Sequence, residues 1–412
     1  MSLGNRRCVP PAKAGQDTAG TAVLTEDGPS LGSVSGHAAR GVLFVDGGAI
    51  VPFVQLAVAL RRWGYRTIRV TTARRSIGSW YTGRLAFDRV LYLEQSELGD
   101  LEAALHGEHL VDVQCAEHLA EDVYRSLEHG TSTTGGTGWH HRGGLIDKWE
   151  VARWLDEIGI DHPRSVLGST APDEAARTLG LPIVVKPRIG VNGHGVFVAH
   201  SLGDLEGHVS GLRRDELLFE AFIDGTPVNY CAVVGDGAER DMTYRTVRRG
   251  AEAWSPSIEI VCYRDDELTQ VGRRLAAALP SQGLVNVDAI RDAEGRYQVH
   301  DVNLRVWGAF FASWNAGFDL TGAYLRWLSD QVRQSMGDGE RPALVFPDYA
   351  GVALLADRRS VGLHDLLGQV RDYRRLLGRG YVLREAARWA RSFVLGERTN
   401  TGAERRRPGR SE

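Results

Sequence analysis

Lysine is almost missing from this chain. Of 49 basic residues in 412, only Lys13, Lys148 and Lys186 are lysines, and the other 46 are arginines. Charge of one sign is also missing: the formal net charge is −3, so there is no basic field of the kind that drives nucleic-acid binding. Cysteine is scarce. Cys8, Cys115, Cys231 and Cys262 lie far apart with no CxxC or Cys/His ligand spacing, which excludes a disulfide framework and a zinc site and reads as reduced thiols in a cytoplasmic protein. Long apolar runs are limited to Gly41 to Leu60, where Asp46 is the only charge and Gly47, Gly48 and Pro52 break the middle. A strand, a turn and a helix explain that run better than a membrane span, and its place after some forty polar residues does not fit a signal peptide. Walker A, GxGxxG, HExxH and Ser-His-Asp or Cys-His constellations are absent too. What remains is 43% hydrophobic and 25% charged, an ordinary globular composition long enough for two or three domains at ~150 residues each.

Residues 1–38, rich in Gly, Ala, Ser and Thr without apolar periodicity, are expected to form a flexible tail. Beyond them strands (41–46, 66–71, 89–93, 109–113) alternate with helices (52–63, 97–105, 117–128), which predicts a parallel α/β layer within residues 39–140. The Gly/Thr-rich segment 131–144 reads as a boundary loop, and its adjacent His140 and His141 do not converge on one ion. Asp147 and Glu150 then form a capping-box pattern for a helix ending at Gly159. Lys148 falls in the first turn of that helix, where the dipole disfavours a cation unless an anion lies nearby; a solvated lysine is an equal reading of this residue alone. A helix over 172–179 precedes the strand Ile183 to Pro187, which carries Lys186. The following Arg188-Ile189-Gly190-Val191-Asn192-Gly193-His194-Gly195 joins it to a strand at 196–199. By itself this loop fits a plain Asn-Gly hairpin better than a phosphate cradle. Further strands are expected at 217–222, 231–234 and 242–249, and a helix at 265–279. Residues 331–412 are Arg-rich, with a helix near 381–394 and a basic tail at 405–410 that reads as a solvated face rather than a membrane or acidic-partner surface.

The segment 283–303 reads as two alternating strands joined by Asp292-Ala293-Glu294-Gly295. With that tetrapeptide as the turn, Asp288 is expected opposite Val299, and Val299, Asp301 and Asn303 share its face. Two carboxylates and an amide gathered there suit a cation that prefers hard oxygens, magnesium above all, over an exposed face that meets only water.

A capped helix with Lys148, a Val-Val-Lys-Pro strand, a Gly-rich loop, a strand ending in Glu220 and the run Asp288…Asp301-Val302-Asn303-Leu304-Arg305-Val306-Trp307-Gly308 occur here in one order. Together with Ala316-Gly317-Phe318-Asp319-Leu320, this order resembles the ATP-grasp superfamily over about residues 41–330, in the branch similar to carbamoyl-phosphate synthase and D-alanine–D-alanine ligase. The resemblance implies a pre-grasp parallel α/β domain followed by a two-lobed α+β ATP-grasp fold at 145–330, with a lid lobe at about 165–215. It implies that Lys148 and Lys186 contact ATP phosphates and adenine, and that Arg188, Gly190, Gly193, His194 and Gly195 form the lid over the triphosphate. It further implies that Glu220, Ala221, Phe222 and Ile223 form the hinge at the adenine, that Asp288, Asp301 and Asn303 hold Mg²⁺, and that Arg305 meets the transferred phosphoryl group. Arg245 and Arg248 resemble a substrate-carboxylate arginine, although a surface-strand arginine is an equal reading. The sequence departs from the pattern at Asp301 (often Glu), at Leu304 (often Pro) and at Pro227, where relatives carry a ribose-binding glutamate; Asp224 is the available substitute.

The chemistry so implied is a cytoplasmic, ADP-forming carbon–nitrogen ligase. A small-molecule carboxylate attacks ATP, and an amine then displaces phosphate from the acyl phosphate to form an amide in biosynthesis. The cofactors are ATP and Mg²⁺; no nucleic acid or membrane is involved, and a homodimer is compatible. The alternatives are the same fold with another acceptor (carbamoyl-phosphate-like, carboxylase, or a protein- or peptide-modifying ligase) and a noncatalytic ATP-binding module.

Overall fold

A computed structural model describes residues 40–48, 51–73, 86–128, 145–190, 193–235, 237–249, 257–329 and 341–344, with Arg371, Arg374 and Gly378. The expected N-terminal tail, the 131–144 loop with its two histidines, Val191 and Asn192 of the Gly-rich loop, and the C-terminal helix and basic tail lie outside the described residues.

The first layer is a parallel four-stranded sheet of β1 (Arg40–Asp46), β2 (Arg66–Thr71), β3 (Arg89–Tyr92) and β4 (His109–Cys115), in the order β3-β2-β1-β4. Helix α1 (Val51–Arg62) lies between two apolar surfaces. On one side it packs on Val42 and Phe44 of β1, and the same core runs on into the largest sheet described below. This explains the apolar run at 41–60: β1 is buried on both faces and α1 on most of its circumference, so neither needs a polar side. No described helix is long and apolar enough to cross a membrane. The other face of the layer packs on α3 (Glu117–Glu128) through Leu119, Val123 and Leu127. The helix expected at 97–105 is instead a 3₁₀ turn, Gln95–Asp100, followed by one turn of α2 (Leu101–Ala104), because Gly99 and Asp100 interrupt the repeat. Arg69 is completely buried and grips Asp46 through two bonds of 2.9 and 2.8 Å, while Thr71 and the Gly48 N–H complete the carboxylate.

Helix α4 (Lys148–Glu157) opens the next region. Asp147 caps it by accepting the Trp149 N–H at 2.9 Å, and Glu150 pairs with Arg153 instead of reaching back. A small antiparallel sheet follows, β5 (Ser165–Leu167), β6 (Ile183–Pro187), β7 (Phe197–Ala199) and β8 (Leu217–Ala221), ordered β5-β8-β6-β7. Helices α5 (Pro172–Leu179) and α6 (Leu202–Val209) cover one of its faces.

The largest sheet contains β9 (Gly225–Gly235), β10 (Gly237–Arg249), β11 (Ser257–Tyr263), β12 (Gly283–Asp292), β13 (Tyr297–Asn303) and β14 (Arg341–Leu344), in the order β13-β12-β9-β10-β11-β14. Both β9 and β10 extend well beyond their expected 231–234 and 242–249, since their early residues are polar and hide the alternation. One face holds Val228, Tyr230, Val285, Val287 and Val302 against α4 and α7 (Asp266–Ala278). The other holds Met242, Tyr244, Ile260 and Leu284 against Phe310, Tyr324 and α1. The second core therefore joins the parallel layer to the large sheet.

Candidate functional site

The site begins as a lattice of polar side chains across three strands. In the register of β12, Asp288 faces Asn229 of β9 on one side and Asp301 of β13 on the other, while Asn286 faces Cys231 and Asn303. The expected pairing of Asp288 with Val299 is corrected: Ala289 pairs with Val299 and Asp288 with Asp301, so β13 carries one extra residue, His300. This bulge explains how one strand serves two faces. Tyr297, Val299 and Val302 stay in the apolar core, whereas Asp301 and Asn303 turn toward Asp288. Val299 therefore does not share the face of Asp288.

Asp288 accepts bonds from three amides: Asn229 on Oδ1, and Asn286 (3.3 Å) and Asn303 (3.1 Å) on Oδ2. Burial and then the neighbouring Asp301 push its carboxyl up to about 6. Burial alone would raise Asp301 as well, but Lys148 and Lys186 outweigh it and hold that carboxyl below its ordinary value. Lys186, 5% exposed, pairs with Glu220 at 2.7 Å and donates to the His300 carbonyl at 3.0 Å, an acceptor the bulge turns toward it. Lys148 donates to the Gly190 carbonyl at 3.0 Å and lies 3.6 Å from Asp301. The only two lysines after residue 13 thus reach adjacent residues of β13, Lys148 the Asp301 carboxylate and Lys186 the His300 carbonyl. The His300 ring is pushed down to about 4 by burial and then by Lys186.

Other expected residues are placed differently. Arg188 grips Asp147 (2.6 and 3.1 Å) and donates to the Asp215 carbonyl at 3.2 Å, while its own carbonyl accepts the Lys148 N–H; it ties the Gly-rich loop to the cap of α4. Gly193 and Gly195 adopt φ of 69° and 74°, which only glycine takes readily, and His194 is exposed between them. Ala221, Phe222 and Ile223 line a cavity of about 410 Å³, along with Asp161, His162 and Gln298. The N–H groups of Ala221 and Phe222 are already bonded to the Arg164 and Pro182 carbonyls. Asp224 is exposed, and Pro227 faces Ile290.

Neither Arg245 nor Arg248 joins the cluster. Tyr244 turns to Asn286, so the adjacent Arg245 points to the opposite face, near Tyr263, and Arg248 pairs with Glu259 at 3.1 Å. A second irregularity, at Val247, shifts the register, and it is Arg249 whose charge acts on Asp288 and His300. Arg305 is only 15% exposed on its side chain and forms an ion pair with Glu117, the first residue of α3. Burial opposes its charge, but Glu117 more than compensates and holds its pKa up. Asn229, Asn286, Glu117, Arg249 and His300 carried no sequence signal of their own, because each depends on register or on packing between distant elements.

The donor set fits a hard divalent cation. Asp288 and Asp301 face each other directly, Asn303 is next to them, and a cation would relieve the repulsion that helps raise Asp288. Around it lie Lys148, Lys186 and Arg249, with Arg305 also acting on both carboxylates; counted with Glu220 and Glu117, these four cations balance four carboxylates, so a bound divalent cation would supply the positive charge that a polyphosphate needs.

Comparison with known proteins identifies a domain in this region. The ATP-grasp domain family matches residues 145–309, which span every element of this cluster except Glu117. Residues 145–309 are therefore an ATP-grasp domain. The carbamoyl phosphate synthase arginine-specific large chain of Geobacillus stearothermophilus is 23% identical over 265 residues, 61% of this chain and 25% of that protein. The Vibrio cholerae carbamoyl phosphate synthase large chain is 26% identical over 354 residues, 81% of this chain and 32% of that one. This chain thus spans a quarter to a third of the length of these two relatives. Among solved structures, the carboxyaminoimidazole ribonucleotide synthase of Aspergillus clavatus with ATP superposes with a TM-score of 0.58 at 16% identity, covering 72% of this chain and 78% of that one. The biotin carboxylase domain of Hydrogenobacter thermophilus 2-oxoglutarate carboxylase, with MgADP and bicarbonate, gives 0.55 at 16%, covering 73% and 72%. These likenesses show the ATP-grasp fold: a parallel layer, a small antiparallel sheet and a large antiparallel sheet.

Proposed function

We propose that this ATP-grasp chain is an ADP-forming ligase that activates a carboxylate as an acyl phosphate and passes it to an amine. The observation that carries this reading is that Lys148 lies 3.6 Å from Asp301 and Lys186 3.0 Å from the carbonyl of the residue before it, with Asp301 directly opposite Asp288. Free carboxylate and amine do not condense in water, so ATP must supply the activation. The residues needed are then ones that position and neutralise charge, and a protein nucleophile is not required.

In this reading Lys186 and Glu220 sit at the base end of the nucleotide, with the hinge 221–223 beside the adenine. Lys148 moves from the Gly190 carbonyl and Asp301 to a phosphate when ATP enters, and Gly193 and Gly195 let the loop backbone close over the triphosphate. Asp288, Asp301 and Asn303 would hold Mg²⁺, which when bound polarises the phosphoryl oxygens and offsets their charge. Arg305, anchored by Glu117, faces the transferred phosphoryl group. Arg249 takes over the substrate role first assigned to Arg245 and Arg248.

A carboxylase-like or carbamoyl-phosphate-like version, in which bicarbonate is the carboxylate, is favoured by one observation. The superposed biotin carboxylase domain was solved with bicarbonate and MgADP. ADP release by the purified chain, measured over panels of organic carboxylates and bicarbonate with and without amines, distinguishes the two. The ligase reading expects an organic carboxylate to stimulate release and a mass matching an amide product. Stimulation by bicarbonate alone would select the second version. Stimulated release that survives in Asp301→Asn or Lys186→Ala would refute the site.

A further inference from the structure

Asp288, proposed as a cation ligand, holds its orientation through the side chains packed around it. A carboxylate on a strand can rotate about two bonds, and the residues around it determine which lone pairs face the cleft. Asn286 lies two residues back on the same strand and the same face, 4% exposed, with its Nδ2 donating to Asp288 Oδ2 at 3.3 Å. An amide has a donor end and an acceptor end of nearly the same shape. Turned the other way, Asn286 would set its oxygen against the Asp288 carboxylate and push it aside.

Two buried donors prevent that turn. The Cys231 thiol donates to Asn286 Oδ1 at 3.1 Å, and the Tyr244 hydroxyl lies 3.5 Å from the same oxygen. Cys231 is 0% and Tyr244 4% exposed, and both belong to the apolar core shared with the parallel layer. The donors come from different strands: Cys231 stands directly opposite Asn286 on β9, and Tyr244 is opposite Asn229 on β10. Because the Asn286 oxygen faces this core and not the cleft, Asn286 cannot itself be a cation ligand without breaking both contacts.

We propose that Asn286 is a positioning residue for the cation carboxylate Asp288, and that Cys231 and Tyr244 act through it by fixing which end of its amide meets Asp288. Buried polar chains of this kind act together, since each member restricts the next. Partners behind a metal ligand typically change metal affinity by about 10- to 100-fold when removed. The inference rests on Asp288 and Asp301 holding a divalent cation, and the experiment separates the two ideas.

The measurement is Mn²⁺ binding to the full chain with a hydrolysis-resistant ATP analogue, read by the electron-spin-resonance signal of free Mn²⁺. Asn286→Ala is expected to weaken Mn²⁺ by about 10-fold or more. Cys231→Val combined with Tyr244→Phe, which keeps core volume and removes only the two donors, is expected to weaken it several-fold. Cys231→Ser, which keeps a donor at that position, is expected to retain affinity near the unsubstituted chain, a rescue that a purely packing role would not give. Cys262→Val, a buried cysteine on β11 outside the chain of bonds, serves as the folding control and leaves affinity unchanged. If Asn286→Ala and the Cys231/Tyr244 double variant both bind Mn²⁺ within about twofold of the parent while Asp301→Asn loses it, the positioning role is overturned and the cation site stands. If Asp301→Asn also binds normally, the cation site falls, and the inference with it.

Discussion

Replacing Glu117 by alanine would leave Arg305 buried without its carboxylate. The side chains of this pair are 14% and 15% exposed, and Glu117 receives both Nε and one Nη of the guanidinium. Removing one partner of a buried pair costs about 3–5 kcal/mol when the other is stranded. Here the cost is reduced, because Arg305 keeps its 3.0 Å bond to the Val306 carbonyl and some contact with water. About 2–3 kcal/mol is therefore expected, which for a domain of this size lowers the thermal midpoint by about 4–12 °C. The pair also joins two layers. Val306 N–H donates to Gln114 at 2.7 Å beside it, and one core runs through both sheets, so a single cooperative transition is expected to persist in the variant. The assay is calorimetry of the parent, Glu117→Ala, Arg305→Met and the double variant. A coupling energy of about 2 kcal/mol between the two positions is expected. A midpoint within about 1 °C of the parent for Glu117→Ala, with no coupling in the cycle, would refute the claim that this ion pair holds Arg305 in place.

Two further predictions address packing and charge. A Cβ on Gly272 of α7 would lie 2.2 Å from the Tyr230 ring, so Gly272→Ala is expected to destabilise by about 1–3 kcal/mol. Gly207 of α6 has open space, so Gly207→Ala is expected to stabilise by about 0.5–1 kcal/mol; urea midpoints with the order reversed would contradict the helix placements. The Asp288 carboxyl is raised from 3.8 to about 6, so the folded state binds more protons than the unfolded state between those values. Its contribution to stability is therefore most favourable below the unfolded value and is lost as pH rises through about 6. In EDTA, the change in stability on Asp288→Asn is expected to be more favourable at pH 7.5 than at pH 4.5, and a change independent of pH would contradict the burial of that charge.

The parts of the fold carried by local pattern were readable in the sequence. Helices at 51–62 and 172–179, the strand with Lys186, and the hairpin ending in Asn303 all stand within a few residues of their expected bounds. Their caps, apolar periods and turns lie within a dozen residues of one another. The ligand face was read with one error, because alternation counts residues and the bulge at His300 inserts one. Arg249, and not Arg245 or Arg248, comes near Asp288 for a similar reason, a register shift at Val247. Bulges leave no compositional mark, since they are set by how three strands and a core fit together. The pairing of Arg305 with Glu117 spans 188 residues, and the roles of Asn229 and Asn286 depend on strand neighbours distant in sequence, so local reading could not reach them. Conversely, the rarity of lysine was informative. With arginine favoured almost everywhere else, the two lysines of the described region both lie against β13 at Asp301 and His300, the place proposed for the nucleotide, where a compact charge on a flexible stem suits a phosphate.

The central claim is that ATP activates a carboxylate in the cleft between the lid sheet and the Asp288–Asp301 face. Its most direct test is to incubate the chain with ATP, Mg²⁺ and ¹⁸O-labelled carboxylates, bicarbonate included, and to examine the released phosphate by mass spectrometry. Transfer of one ¹⁸O from carboxylate to phosphate, in step with ADP and abolished by Asp301→Asn, is the expected result. ADP accompanied only by phosphate whose new oxygen comes from water would contradict it.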